Sequence, residues 1–548
     1  MSNVFEKPSV ERLVTGGTYV LVFGLLAGLL GWMFMAVVSH ETIGVGPELL
    51  GYITVATALQ VIAYCIAGGF NQALSKYLSE SLIESKEKAL RYAKSATIIF
   101  NVIGISSFII FLTLAIYTFP TNYKYGIIFL VMAIDFFLIF FRDNLMGNLA
   151  AVHRFDYIGK LNFISALSGV ALGCFILFLF AKPVNAQLLP IILIASTVVA
   201  IILLFHYGKK VIPYPLSSIF KGASRTEAAH LVKYGLFCTI PNIIFSGMIL
   251  WIQNLWYAGI FGFENIVVGA SGLILGYAGV VLAITQFGWP QIPAVSEAKA
   301  LKDFKLIDDY MKNTLHTGFN ITAFFLVIYV GLSHRLLFLF HGPSYLIAHI
   351  PFILLSIAVV ILGVEFLICT LLMGLGEGKK AAGLISTLTI IQIVLVPLLI
   401  LFIQNNFGFN QTIYAGSVSL LVSAIIIFPI AFNYLKKYTG NPPRLYLGIL
   451  GKGTVSITLT LLCYGILDIT VFPNSGLNID LILGLVVRAI LLFGLFTVFM
   501  LIFAGYNDKD LDVYARLGPL KFIAEPMRWL LHHSPFYKKE ENNEEIHN

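Results

Sequence analysis

Charge is scarce in this chain: Asp, Glu, Lys and Arg make up 11% of its 548 residues, while 58% are hydrophobic. Soluble domains carry roughly 25% charged residues, so the composition excludes a soluble globular enzyme and points to a polytopic membrane protein. Cysteine is sparse too. Cys65, Cys174, Cys238, Cys369 and Cys463 all lie in apolar stretches without C-x-x-C spacing, which fits small buried hydrophobes and neither disulfides nor metal ligands. The chain has no G-x-x-x-x-G-K-[ST] loop and no H-E-x-x-H helix, which removes support for ATP-driven pumping by this chain and for zinc proteolysis. Its formal charge of +7 is scattered between apolar stretches and not gathered on one polar domain. Topology explains that pattern, and nucleic acid is not expected as a partner.

What is abundant is long apolar runs. Cutting the chain wherever about 20 apolar residues can cross ~30 Å of hydrocarbon predicts fourteen spans, at 14–38, 49–74, 95–119, 125–149, 160–181, 188–207, 233–259, 266–289, 314–334, 349–375, 381–404, 412–434, 446–469 and 481–504. Both termini and the even-numbered loops then share one side. All but four of the 35 Lys and Arg residues fall there or in the span halves that adjoin that side, the exceptions being Lys124, Lys182, Arg335 and Arg488. By the positive-inside rule that side is the cytoplasm. The polar start, Met1 to Arg12, is followed by an apolar run with no small-residue cleavage site behind it, so the first span is expected to be retained.

Two stretches about 218 residues apart resemble one another. Gly68 to Lys94 reads GGFNQALSKYLSESLIESKEKALRYAK and Phe287 to Lys312 reads FGWPQIPAVSEAKALKDFKLIDDYMK; each passes through Ser-Glu (Ser79-Glu80, Ser296-Glu297) and closes on Tyr-x-Lys. The same offset carries five of the first six spans close to five of the second six, so the expected organisation is a parallel duplication. Residues 1–208 form one lobe, 209–231 a cytoplasmic linker broken by Pro213 and Pro215, 232–434 the second lobe, 435–504 an appended hairpin and 505–548 a cytoplasmic tail. The paired stretches are expected to be connectors or hinges.

These residues resemble the multidrug/oligosaccharidyl-lipid/polysaccharide (MOP) flippase superfamily, and within it the polysaccharide-type (Wzx-like) lipid-linked oligosaccharide flippases. The resemblance rests on GWPQIPAVSEAKALKDFKLIDDY, on its first-lobe form GGFNQALSKYLSE, on LLFLFHGPSYLIAHIPFILLSIAVVILG from Leu336 to Gly363, and on DNLMGNLAAVHRFDYIGKLN. It implies an all-α fold of about fourteen membrane helices, with two six-helix lobes in a V (MATE-like) around an alternating-access cavity. The implied cargo is a glycan on a polyprenyl phosphate, moved from the cytoplasmic to the outer leaflet of the plasma membrane for polysaccharide biosynthesis or protein glycosylation. Membrane lipids and glycan-assembly proteins are the further partners. Drug-extruding relatives typically place an acidic residue in the first or seventh span, and neither contains Asp or Glu here. The alternatives are an ion-coupled exporter of small molecules and a membrane-embedded glycosyltransferase or polymerase; the short outer loops count against the latter.

Ionisable groups at span centres cost ~2.5–3.5 kcal/mol and usually face a cavity or a partner. Asp135 lies near the middle of the fourth span, with Arg142 seven residues on and nearly on the same face. Glu365 sits in the tenth span, the second-lobe counterpart of the fourth, and Arg488 in the fourteenth. Asn242 follows Pro241, which should kink the seventh span. Asp135, Arg142, Asn242, Glu365 and Arg488 are the cavity candidates for substrate, and Asp135 and Glu365 also for a coupling sodium ion or proton. For Asp135, Glu365 and Arg488 a structural partner is the competing reading, and for Arg142 snorkelling to the headgroups. No catalytic residue, resident metal or cofactor is expected. Asn101, Asn162 and Gln392 should hydrogen-bond between helices; Pro290 and Pro293 should end the eighth span. Leu517 to Leu531 reads as an interfacial segment, residues from Lys538 on as disordered, and Asn410-Gln-Thr as a sequon in an outer loop.

Overall fold

The computed structural model describes residues 10–40, 46–179, 190–220, 222, 224–262, 265–282, 285–439, 443–471, 480–503, 505–506, 511 and 521–534. Eighteen α-helices are seen among them. The first six are α1 (Val10–Ser39), α2 (Gly46–Glu84), α3 (Lys86–Thr118), α4 (Tyr123–Ala151), α5 (Phe155–Leu179) and α6 (Ile191–Val211). Then come α7 (Arg225–Thr239), α8 (Asn242–Phe245), α9 (Met248–Phe261), α10 (Ile266–Leu282), α11 (Thr285–Ala300) and α12 (Phe304–His341). The last are α13 (His349–Gly374), α14 (Gly378–Phe407), α15 (Tyr414–Thr439), α16 (Pro443–Val471), α17 (Asp480–Ile502) and α18 (Lys521–His532). Among the described residues twelve segments are long and apolar enough to cross a membrane, and α9 and α10 are shorter apolar helices. Together they account for the fourteen expected spans, and the chain is a multi-pass membrane protein.

Burial separates central helices from peripheral ones. The apolar windows of α2 and α13 are 72% and 78% buried, against 17% in α3. On α3, Val102, Ile105, Ile109 and Ile116 stand exposed, as side chains facing lipid tails do, because burial against another helix offers them little over hydrocarbon. The chain divides into two compact units, one of residues 1–314 with 336–441 and the other of 315–335 with 442–548.

In the larger unit the expected seventh span is broken into α7, α8 and α9. Pro241 supplies no amide proton to the helix ladder, and Gly247 turns the chain through a left-handed φ of 77°. The predicted kink is therefore a full interruption. The break lies directly on α2, where Gly68 and Gly69 leave no side chain in the way. A Cβ on Gly69 would collide with the Thr239 backbone, and one on Gly68 would collide with the Asn242 amide nitrogen.

The paired stretches are helical. Gly68 to Glu84 completes the 39-residue α2, and Ser85 caps α3 by accepting from Lys88 N. The second copy forms α11, and Asp303 caps α12 by accepting from Leu306 N. Ser85 and Asp303 are 218 positions apart, so the offset read from sequence carries one helix start onto the other. Pro290 and Pro293 lie inside α11 and do not end a helix. Each proline withholds only its own amide proton from the ladder, and its fixed φ suits a helix, so α11 continues past both.

In the smaller unit, residues 315–335 of α12 stand with α16, α17 and α18. Gly453 faces Phe319, Gly331 faces Leu492 and Tyr464, and Asn320 donates to Gly505 O at 2.8 Å. The expected interfacial segment is helical from Lys521 to His532, with Trp529 and Leu530 exposed and Met527 and Leu531 buried. Residues 517–520 and everything after Ser534 lie outside the described residues. Cys65, Cys238 and Cys369 are buried as expected, but Cys174 is exposed and Cys463 half-buried; a thiol is apolar enough to lie on a lipid-facing flank.

Gly69→Ala should lower the thermal midpoint of the purified protein, by an overpacking penalty of about 1–3 kcal/mol. Gly383→Ala, where an added methyl meets no atom within 4 Å, should leave the midpoint unchanged or raise it. Size-exclusion chromatography after heating checks both, and equal midpoints would show that the α2 contact does not constrain the fold.

Candidate functional site

One face of α2 builds a polar seam with α4. Gln60, Tyr64 and Asn71 recur at helical spacing and meet α4 at successive depths. Gln60 Nε2 donates to Asp135 Oδ2 at 2.8 Å, and Thr197 of α6 donates its hydroxyl to Asp135 Oδ1 at 2.9 Å. Asp135 is thus wholly buried with both oxygens accepting. Lower in the seam, the Arg142 guanidinium lies 4.6 Å from the centre of the Tyr64 ring and donates to its hydroxyl at 3.3 Å. Its Nε and Nη2 both bond Asp143 Oδ1, at 2.8 and 2.6 Å. Asn71 then donates to Asp143 O at 3.1 Å.

The opposite flank of α2 holds Asn242. Its Nδ2 donates to Tyr64 O at 3.0 Å and Cys65 O at 2.8 Å, and its Oδ1 accepts from Gln72 Nε2 at 2.9 Å. Three of the five candidates therefore meet on one helix, and Tyr64 joins them, its hydroxyl to Arg142 and its carbonyl to Asn242. In this conformation Asp135, Arg142 and Asn242 are committed to neighbouring helices. Arg142 pairs with its sequence neighbour and does not snorkel.

Glu365 behaves differently. It is fully buried in α13, and neither carboxyl oxygen has a hydrogen-bond partner among the described residues. The same half of the chain holds further buried polar atoms without partners: Asn254 on α9, Gln392 on α14, and Ser417 and Ser419 on α15. Gln392 was expected to bond across helices, and the structure corrects this: the residue is fully buried on α14 and neither of its amide atoms has a hydrogen-bond partner. In the smaller unit Arg488 donates through Nε to Asp468 Oδ1 at 2.7 Å, and Arg335 pairs with Asp468 Oδ2 at 2.9 Å. This ties α17, α16 and α12 together. No group of three His, Cys, Asp or Glu side chains suited to a metal ion occurs among the described residues.

Several site residues were not legible in the sequence. His341 is fully buried. Its Nδ1 lies 2.5 Å from Ser39 Oγ, whose own proton goes to Met35 O, so the imidazole donates there and its Nε2 accepts from Tyr277 at 2.8 Å. Its place in LLFLFHGPSYLIAHI, just before a glycine with φ 107°, was the available signal. His153, at a left-handed φ of 56°, pairs with Glu297 of α11. That contact gives the Ser-Glu motif of the second copy a partner in the first. Ser296 beside it donates to Gly374 O at 2.9 Å, closing the end of α13.

No family model and no curated protein matches this sequence. Solved structures do match. The chain is similar to the crystal structure of MATE in complex with MaL6, with a TM-score of 0.60 and 15% identity, over 80% of this chain and 98% of that one. It is similar to the outward-facing conformation of a multidrug resistance MATE family transporter of the MOP superfamily, with a TM-score of 0.59 and 14% identity over the same shares. It is also similar to lipid II flippase MurJ in an inward closed conformation, with a TM-score of 0.57 and 15% identity, over 87% of this chain and 97% of that one. At these identities the likeness is one of fold. The protein has the all-α MATE-like fold, whose solved examples here are transporters and a flippase, not enzymes.

Asn242→Ala removes three hydrogen bonds at the α2–α8 contact, each worth about 0.6 kcal/mol in a membrane interior, or roughly 2 kcal/mol together. The expected result is a lower unfolding midpoint even before transport is measured. An unchanged midpoint would mean that Asn242 does not hold the break in place.

Proposed function

We propose that this protein is a flippase that moves a lipid-linked oligosaccharide from the cytoplasmic to the outer leaflet of the plasma membrane by alternating access, with both termini cytoplasmic. A polar glycan cannot cross hydrocarbon unaided. Two six-helix lobes that open alternately to each side would carry the glycan, while the polyprenyl tail stays in lipid. The observation that carries this reading is the extent of the likeness to lipid II flippase MurJ, which covers 87% of this chain against 80% for the MATE structures. In the smaller unit Arg335 and Arg488 pair with Asp468 and tie α12, α16 and α17 together. Glycan-assembly proteins are the expected protein partners.

Glu365 is the proposed coupling residue. A buried carboxyl without a hydrogen bond is unfavourable, and either a proton or a sodium ion would relieve it. Asp135, already satisfied by Gln60 and Thr197, would take such a role only after those bonds open. Arg142 would meet phosphate or sugar acid once released from Asp143. Arg488, bonded to Asp468, serves the second unit. A second reading, an exporter of small amphipathic cations, is favoured by the TM-score of 0.60 to a MATE structure; the lack of Asp and Glu in spans one and seven opposes it.

Depleting the protein should leave lipid-linked oligosaccharide trapped in the cytoplasmic leaflet, measurable by leaflet-selective labelling of the glycan. Unchanged surface glycan with raised sensitivity to cationic drugs would instead establish the exporter. Asp135→Asn, Arg142→Ala and Glu365→Gln should each slow flipping by about tenfold or more, the scale of a lost 1.4 kcal/mol contact, with folded protein unchanged. Full activity in all three would remove these residues from the transport path.

A further inference from the structure

The start of α5 and the end of α6 come together on the face expected to be cytoplasmic. Tyr157 of α5 stacks on Tyr207 of α6, with ring centres 4.6 Å apart and planes 19° from parallel. Beside this pair the two helix ends carry Arg154, Lys160, Lys209 and Lys210 against a single carboxylate, Asp156.

That carboxylate is already used. Arg154 takes it with two parallel bonds, Nε to Oδ1 at 2.9 Å and Nη2 to Oδ2 at 2.8 Å, and lies 4.0 Å from the centre of the Tyr157 ring. Lys160 stands 6.0 Å from the same ring. Lys210 donates to His206 Nε2 at 2.9 Å; an ammonium can only donate, so that nitrogen is unprotonated and His206 brings no negative charge. Other cations on this face are neutralised by carboxylates: Lys76 by Glu80, Lys88 by Glu84, Arg91 by Glu227 and Lys312 by Asp308. Lys160, Lys209 and Lys210 have no ion pair among the described residues, and all three are exposed.

The same exposed faces run on toward the membrane interior as apolar side chains. On α6 exposed Val198 and Ile202 precede His206 and Lys209 at helical spacing, and on α5 Lys160 precedes exposed Leu167 and Phe175 by seven and fifteen positions. Each stripe therefore faces hydrocarbon along its length and becomes cationic at its end. The predicted spans begin at Lys160 and end at Tyr207, which puts the cations at the level of the headgroups. A lipid has the matching distribution, with acyl chains along the stripe and phosphate at the top. The positive-inside rule accounts for lysine on this face; it does not account for uncompensated lysines converging from two helices on a stacked tyrosine pair. Basic sites between membrane helices on this side are the chemistry that holds anionic headgroups.

We infer that the junction of α5 and α6 is a binding site for the phosphate of an anionic lipid in the cytoplasmic leaflet. Lys160 and Lys209 supply the charge, and Arg154, held by Asp156, keeps the Tyr157 ring in place between them. The inference goes beyond the flippase reading, because it rests on the membrane setting and on no property of the cargo. Two kinds of lipid carry this chemistry, an anionic glycerophospholipid and a polyprenyl phosphate, and the test separates them.

The full-length protein in detergent micelles is titrated with dioleoylphosphatidylglycerol, farnesyl phosphate or dioleoylphosphatidylcholine, and bound lipid is counted by native mass spectrometry. At least one of the two anionic lipids should bind more tightly than phosphatidylcholine, and the tighter of them names the source. Combining Lys160→Gln with Lys209→Gln should weaken that lipid by about thirtyfold, at about fivefold per lysine. Combining Lys302→Gln with Lys305→Gln removes the same charge from the exposed corner between α11 and α12 and should leave the affinity unchanged. The lipid should also raise the unfolding midpoint of the unsubstituted protein and not that of the Lys160 and Lys209 double variant, whose midpoint without lipid should match the unsubstituted one. The proposal is overturned if neither anionic lipid exceeds phosphatidylcholine. Equal loss in both double variants would overturn it too, as a general attraction to net positive charge. Displacement of the lipid by inorganic phosphate at equal concentration would do the same, by marking a site for free anions.

Discussion

The contact between Gly68-Gly69 of α2 and the break between α7 and α8 is the constraint from which most of the larger unit follows. Inside a membrane the hydrophobic effect gives helices no reason to associate, so close backbone approach and interhelical hydrogen bonds must do it. Two adjacent glycines give that approach, and Asn242 supplies the bonds by donating to carbonyls that α2 already uses in its own ladder. With that flank fixed, Gln60, Tyr64 and Asn71 are fixed facing α4. The depth of Asp135 and Arg142 follows from it. At another level Gly272 of α10 rests on Thr54 of α2, so α2 is gripped by the second half of the chain at two separate points. Any relative displacement of the two halves has to change these contacts together or turn at the interruption beside them, at Gly247.

Buried charge is handled in three ways, and the differences are informative. Asp135 has two neutral donors, so the helices around it neutralise its cost of burial locally. Asp468 is shared by two arginines, which leaves the triad with one excess positive charge while every member is bonded. Glu365 has neither. Asn254, Gln392, Ser417 and Ser419 also hold buried polar atoms without partners, but those groups are neutral, and a carboxyl left without a donor is the costliest of the set. It is the position at which the proposed coupling ion would act.

Much of the architecture was legible because its causes are local. Span positions follow from hydropathy, and the duplication from an offset that turned out to join two helix caps, Ser85 and Asp303. Pro241 announced a disturbance of the seventh span, though not its extent, since Gly247 could serve equally as a packing glycine until its φ was known. The partners of the candidates were not legible. Gln60, Thr197 and Tyr64 are ordinary membrane-helix residues by sequence, and only the rotation of α2 against α4 and α6 selects them. Conversely Asp135 and Arg142, seven residues apart, were read as lining a cavity because periodicity gives a shared face without naming what lies opposite. What lay opposite was another helix.

The same limitation makes the surroundings of Glu365 instructive. Pro290 and Pro293 lack the amide protons that would bond the carbonyls four residues earlier, so α11 carries peptide oxygens at positions 286 and 289 without their helical donors. That helix packs on α13 at the level of Glu365: Gly288 approaches Phe366 and Thr370, and Thr370 donates to Gln291 at 2.8 Å. A carboxyl without donors and a neighbouring helix with carbonyls freed by proline are both oxygen-rich and both short of positive charge. Adding a proton relieves only the carboxyl, whereas a hard cation attracts both kinds of oxygen. The prolines that sequence reading assigned to ending a helix thus bear on which ion the proposed coupling site would prefer, and comparing Glu365→Gln with substitution of Pro290 separates a role for the carboxyl alone from one shared with the α11 backbone.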